Sequence, residues 1–154
     1  MTYLQVQNVS KSFGPFKALD NISLSVKQGE IRSILGENGA GKTTLMNVLY
    51  GLYRPDSGAI LIDGKTASLA SPADAIAHRI GMIHQHFQLA NALSVIENIV
   101  LGLPGVQTNL KDHARNIGAL SKEYGFDIDP FAPIWKLPIG MRQRVEILKA
   151  LYRD

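Results

Sequence analysis

Gly36-Glu37-Asn38-Gly39-Ala40-Gly41-Lys42-Thr43-Thr44 is the stretch whose reading decides the fold. It fits the phosphate-loop pattern G-x-x-x-x-G-K-S/T without a mismatch. Its flanks agree with that pattern. Glu30-Ile31-Arg32-Ser33-Ile34-Leu35 reads as a buried strand ending at a glycine. Thr44 to Tyr50 carries Leu45, Met46, Val48 and Leu49 at helical spacing, with Gly51 placed to close the helix. Glycines let successive backbone N–H groups turn inward around an anion where a Cβ would obstruct, and the following helix adds the positive end of its dipole. Lys42 then reaches β- and γ-phosphates, and the Thr43 hydroxyl serves the Mg²⁺ that bridges them. The plainer alternative is a glycine-rich turn with no ligand. With strand, loop, Lys-Thr and helix in order, the reading is a nucleoside triphosphate site built from Gly36, Asn38, Gly39, Ala40, Gly41, Lys42, Thr43 and Thr44.

The 154 residues fit the size of one domain with a real core, and the composition is that of an ordinary globular protein. The net charge of +3 is mild and its Lys and Arg residues are scattered, so no nucleic-acid partner is expected. With no cysteine there is no disulfide framework, thiol catalysis or thiolate metal site. Met1 to Val6 runs straight into a strand-like pattern rather than a secretory leader, and no run of about 18 apolar residues appears.

Along the chain, Tyr3 to Val9 alternates as a half-buried strand does, Ser10 to Pro15 reads as a turn, and Ile22, Leu24 and Val26 mark a second strand. Lys27 to Glu30 turns into the strand before the loop. Arg54 to Gly58 is turn chemistry, Ala59 to Ile62 a short strand stopped by Asp63-Gly64, and Ser71-Pro72 a helix start. Ile80 to His84 reads as another apolar strand. Ser94 to Tyr124 is helical, with Val95, Ile99 and Leu103 on one face, a break at Pro104-Gly105, and Ile117, Leu120 and Tyr124 on a second face. Gly140 to Arg153 forms a closing helix with Val145, Leu148 and Leu151 or Tyr152 on its stripe. His84 and His86, without a third ligand nearby, do not make a metal site.

Three further places make the chain, from residue 3 to 153, resemble the ATP-binding subunit of an ABC transporter. Phe13, in Lys11-Ser12-Phe13-Gly14, stands where that family stacks an aromatic on adenine; a strand-end aromatic packed on the core is the alternative. Gln85, in Met82-Ile83-His84-Gln85-His86-Phe87, matches the glutamine loop, whose side chain positions Mg²⁺ and the attacking water and whose flanks meet the membrane subunits. Leu137-Pro138-Ile139-Gly140-Met141-Arg142-Gln143-Arg144 takes the place of the signature Leu-Ser-Gly-Gly-Gln-x-x-Arg, which closes on the γ-phosphate held by an opposite subunit. Gly140, Gln143 and Arg144 agree with it. Pro138, Ile139 and Met141 depart, and proline removes both the serine hydroxyl and a backbone donor. The wording of residues 81–87 and 140–153 is most similar to importers of simple sugars and nucleosides.

The resemblance implies an α/β fold, a P-loop NTPase core of the ABC type with an N-terminal antiparallel β region and a helical insert, truncated before the Walker B strand. The divisions expected are a phosphate-loop core over 1–85, an insert over 86–140 and the signature helix over 140–153. It implies ATP and Mg²⁺ as cofactors, with Thr43 and Gln85 on the metal and Gly140 near phosphate. Transmembrane permease subunits, a second ATP-binding domain (the same or fused) and, indirectly, a solute-binding protein are the implied partners, at the cytoplasmic face of the plasma (inner) membrane. The family's Asp-Glu-Pro strand, which supplies the general base, and a later histidine do not occur before Asp154. Glu146 reads instead as a surface partner of Lys149. The expectation is a segment that binds Mg-ATP and hydrolyses it poorly. A non-transport ABC-type ATPase and a non-catalytic nucleotide-binding fragment are the alternatives.

Overall fold

A computed structural model describes residues 2–85, 87–103 and 110–153, and divides the chain into two units, Met1–Ile80 and Gly81–Asp154. In the first, strand β1 (Thr2–Phe13) turns through Gly14-Pro15 into β2 (Phe16–Lys27), and β3 (Ser57–Ile62) and the short β4 (Lys65–Thr66) complete an antiparallel sheet in the order β2-β1-β3-β4. The polar stretch read as a turn from Ser10 is strand as far as Phe13. Asp56 holds it there, accepting from Lys11 Nζ at 2.8 Å and from the Ser12 N–H at 2.7 Å. Alternation sets the register: Val6 faces Leu24 on one side and Ile60 on the other, and Leu4 pairs with Ile62.

Helix α1 (Lys42–Leu49) buries Leu45, Val48 and Leu49 into a core that includes Val6, Val9, Leu19, Ile60 and Ile62. Gly51 ends it at φ 76°, and a Cβ at that position would lie 2.4 Å from the Ser71 carbonyl oxygen, so only glycine fits. Ser71 caps helix α2 (Pro72–Ala77) as expected, its hydroxyl accepting from the Asp74 N–H at 3.3 Å with Pro72 in the first turn.

Two expected strands do not form. Residues 30–35 have no ladder partner, with Ile31 97% and Leu35 92% exposed, and Ile80 to His84 is likewise irregular. An apolar run becomes a strand only when a neighbour takes its N–H and C=O groups, and among the described residues no strand lies alongside either segment.

In the second unit, α3 (Val95–Val100), α4 (Leu110–Glu123) and α5 (Ile139–Tyr152) surround Val95, Ile96, Ile99, Ile117, Ile134, Val145 and Leu148. The expected faces are buried except at Tyr124, which is 49% exposed, while Leu103, Leu120, Leu151 and Tyr152 are half-buried. The break at Pro104-Gly105 falls outside the described residues. A capping box starts α3: the Ser94 hydroxyl accepts from the Glu97 N–H, and the Glu97 carboxylate accepts from the Ser94 N–H at 2.7 Å. These contacts hold the Glu97 carboxyl below its usual range, the Ser94 hydroxyl most and the Ser94 backbone N–H next. A single 3-10 turn, Ile134–Lys136, leads into α5.

Candidate functional site

In the first unit the phosphate loop is built from its own short sequence. Gly39 and Gly41 both adopt left-handed φ, 85° and 88°. At Gly41 a Cβ would sit 2.4 Å from the Ala18 carbonyl oxygen and 3.0 Å from Leu19 Cδ2, so the loop presses against β2 as only glycine allows. Lys42 Nζ reaches back across the loop to donate to the carbonyls of Gly36 (2.6 Å) and Glu37 (2.7 Å). An ammonium has three donors, so two are spent holding the loop and the charge remains at its mouth. No side chain caps α1, Thr43 is exposed at its first turn and Thr44 is half-buried. An uncapped helix N-terminus, two left-handed glycines and a fixed cation make a concave anion site. Asn38 and Ala40 lie on its exposed rim.

Among the described residues no group of three or more His, Cys, Asp or Glu side chains stands ready to hold a metal. Thr43, exposed at the first turn of α1, presents a hydroxyl of the kind that joins phosphate oxygens around Mg²⁺. Phe13, at the end of β1, is 43% exposed and meets the edge of Tyr53 with ring centroids 5.2 Å apart, while Lys11 Nζ lies 5.7 Å from its centroid. A half-exposed ring face is what stacking on a base requires; a ring packed wholly in the core would not offer it. Tyr53 was not singled out from the sequence, and only the fold brings it to Phe13.

In the second unit Gln85 is exposed and lines a cleft of about 230 Å³ with Phe87, Leu89, Asn91 and Arg142. His86 falls outside the described residues. The backbone that follows Gln85 is held from the helices. Asn98 on α3, 1% exposed, accepts the Ala90 N–H at 2.7 Å and donates to the Ala90 and Ser94 carbonyls at 3.1 and 2.9 Å. Arg142 on α5 donates to the Leu137 carbonyl at 2.9 Å, the Trp135 carbonyl at 3.3 Å and Asn91 Oδ1 at 3.5 Å. Glu146 corrects the sequence reading. It is 4% exposed rather than at the surface, and its carboxylate accepts from the Gln88 N–H. Lys149 Nζ donates to the Gln88 carbonyl at 3.2 Å. Burial pushes the Lys149 ammonium below its ordinary range, against the raising effect of Glu146 and with a further lowering from Arg153.

Helix α5 begins at Ile139 with Pro138 in the cap position and no capping side chain. Gly140 is exposed, and a Cβ there would meet nothing within 4 Å. The helix N-terminus is therefore open to an anion through backbone N–H groups even with proline in place of serine, while Ile139, 72% exposed, stands beside it. Gln143 and Arg144 are exposed on the same first turns.

Residues 19–154 match the family described as ABC transporter. The nucleoside import ATP-binding protein NupA of Lactococcus lactis is 47% identical over 99% of this chain and 31% of its own length. The glucose import ATP-binding protein TsgD13 of Haloferax volcanii is 45% identical over 99% of this chain and 33% of its own length. The guanosine import ATP-binding protein NupO of Bacillus subtilis is 46% identical over 97% of this chain and 30% of its own length. The chain thus spans about a third of the length of these relatives. Among solved structures, a nucleotide-free ATP-binding cassette from an ABC transporter aligns with a TM-score of 0.85 at 29% identity, covering 99% of this chain and 66% of that one. Among the described residues no helix is long and apolar enough to cross a membrane.

Proposed function

This chain belongs to the ABC transporter family, and from that premise we propose that it supplies the nucleotide-binding segment of an importer ATPase whose ATP binding and hydrolysis drive uptake of a simple sugar or nucleoside. The observation that carries the reading is the phosphate loop, with Lys42 fixed by the Gly36 and Glu37 carbonyls in front of an uncapped α1. Lys42 and the backbone of 38–44 hold the triphosphate, Phe13 stacks on the adenine, and Thr43 would serve Mg²⁺, which when bound neutralises charge on the phosphates; Gln85 takes the part of the family's glutamine loop. Gly140 at the start of α5 offers backbone donors to the γ-phosphate of a second ATP-binding domain. The likeness to import ATP-binding proteins supports permease subunits as partners at the cytoplasmic face of the inner membrane, with a solute-binding protein acting indirectly.

The family's Asp-Glu-Pro motif does not occur in residues 1–154, and on that reading the segment binds ATP and turns it over poorly. Calorimetric titration and a phosphate-release assay test this: the chain binds Mg-ATP, Lys42→Ala weakens the binding about 30-fold or more, and phosphate release stays at background. Binding unaffected by Lys42→Ala, or steady Mg-dependent release of phosphate, would overturn the reading. Pro138 in the cap of α5 favours a second reading, a non-catalytic nucleotide-binding subunit. Turnover by the complete protein that carries this chain separates the two.

A further inference from the structure

Glu146 is the only charged side chain among the described residues that is buried, and nothing in the nucleotide chemistry above uses it. A carboxylate removed from water is costly unless it is hydrogen-bonded and compensated. Here one peptide segment and one cation do both. The Gln88 N–H donates to Glu146, the Gln88 carbonyl accepts from Lys149, and the two side chains sit three residues apart on the same helix. Residue 88 is thus gripped by both of its backbone polar groups, each by a side chain of the opposite polarity. The same helix, through Arg142, holds Asn91 and the residues that lead into its own N-terminus. Packing alone would be satisfied by a neutral residue at 146; a directed bond to one backbone N–H requires an acceptor.

We propose that Glu146 and Lys149 are positioning residues that lock the peptide at Gln88 to α5 and so fix Gln85, three residues upstream, relative to the start of that helix. The inference rests on the reading of Gln85 as the residue that serves Mg²⁺ and the attacking water. The loop through which Gln85 acts is then set by the helix that carries the partial signature, and a shift of that helix moves both.

The test is steady-state ATP turnover by the complete protein. Glu146→Ala is expected to lower kcat about tenfold with KM for ATP unchanged within about twofold, because the phosphate loop, not this segment, carries ground-state binding. Glu146→Gln keeps an acceptor oxygen and is expected to restore kcat to within about twofold of the parent. Lys149→Met is expected to lower kcat about threefold, and the Glu146→Ala, Lys149→Met double variant to be no worse than Glu146→Ala, since both act through one peptide. Full kcat in Glu146→Ala, or loss in Glu146→Gln as severe as in Glu146→Ala, would overturn the proposal. If Glu146→Ala fails to fold, Lys149→Met decides: lowered kcat at constant KM supports the proposal, and unchanged kcat overturns it. Gln85→Ala separates the two levels. Unchanged turnover there removes the glutamine reading and the proposal with it. Lowered turnover there, with Glu146→Ala unaffected, removes the proposal alone.

Discussion

The phosphate loop and residues 87–91 are both irregular backbone, yet they are held by opposite means. Lys42 binds carbonyls only six and five residues back, and two glycines supply the turns. Residues 87–91 have no such local grammar. Apart from the Leu93 N–H on the Ala90 carbonyl, their bonds come from residues 51 to 61 positions away on α5, with Asn98 of α3 pinning residue 90. A site made of near neighbours is specified by a short motif, whereas one made by distant helices depends on their packing.

The contrast breaks most visibly at Gly41. Gly41→Ala places a Cβ against the Ala18 carbonyl in a left-handed conformation, and about 3 kcal/mol of stability should be lost in denaturant unfolding. Gly140→Ala, in open helical backbone, should change stability by less than about 1 kcal/mol in the same assay. Equal losses would show that the first loop is not the more tightly built. Asn98→Ala leaves the Ala90 N–H without its partner and the Ala90 C=O with the Leu93 N–H alone, and should cost about 2 kcal/mol, with faster amide exchange at Ala90. Lys42→Ala should cost less in folding than in binding: ATP affinity falls about 30-fold or more, since a hydrogen-bonded charge is worth about 2 to 3 kcal/mol.

The smallest effect belongs to the capping box. Ser94→Ala should lower stability by about 1 kcal/mol. Because the Glu97 carboxyl is held below its usual range when folded, its contribution is present above the unfolded pKa and is lost as pH falls through the folded one. Glu97→Gln should therefore melt below the parent near neutral pH and alongside it in acid. A gap that persists in acid would refute the assignment.

The same contrast explains what was legible in the sequence. The phosphate loop, the Ser71-Pro72 start of α2, the left-handed Gly51 and the buried stripe of α5 are local patterns, and each stands where its residues indicate. Ile31 to Leu35 misleads because apolar composition marks a segment that can be a buried strand but not whether a neighbour exists to pair with it. Glu146 misleads for a similar reason. A Glu three residues before a Lys on a helix looks like a surface pair, and only the packing of the loop against α5 buries it. Phe13 was identified, but its partner Tyr53 lies forty residues on and carries no motif. Ser94 and Glu97 do carry one, a capping box readable as Ser-x-x-Glu.

The chain's sole tryptophan, Trp135, lies in the turn that leads into α5, 62% exposed, with its carbonyl bound by Arg142 and Lys136 Nζ over its ring. With the ring this exposed its emission should be that of a solvated indole, and the spectrum should shift little when the protein unfolds. The sheet and the phosphate loop contain no such fluorophore. Intrinsic fluorescence is therefore a local optical probe of the approach to Gly140, suited to sensing an anion or a second subunit arriving there. Melting of the first unit is better followed by far-ultraviolet circular dichroism.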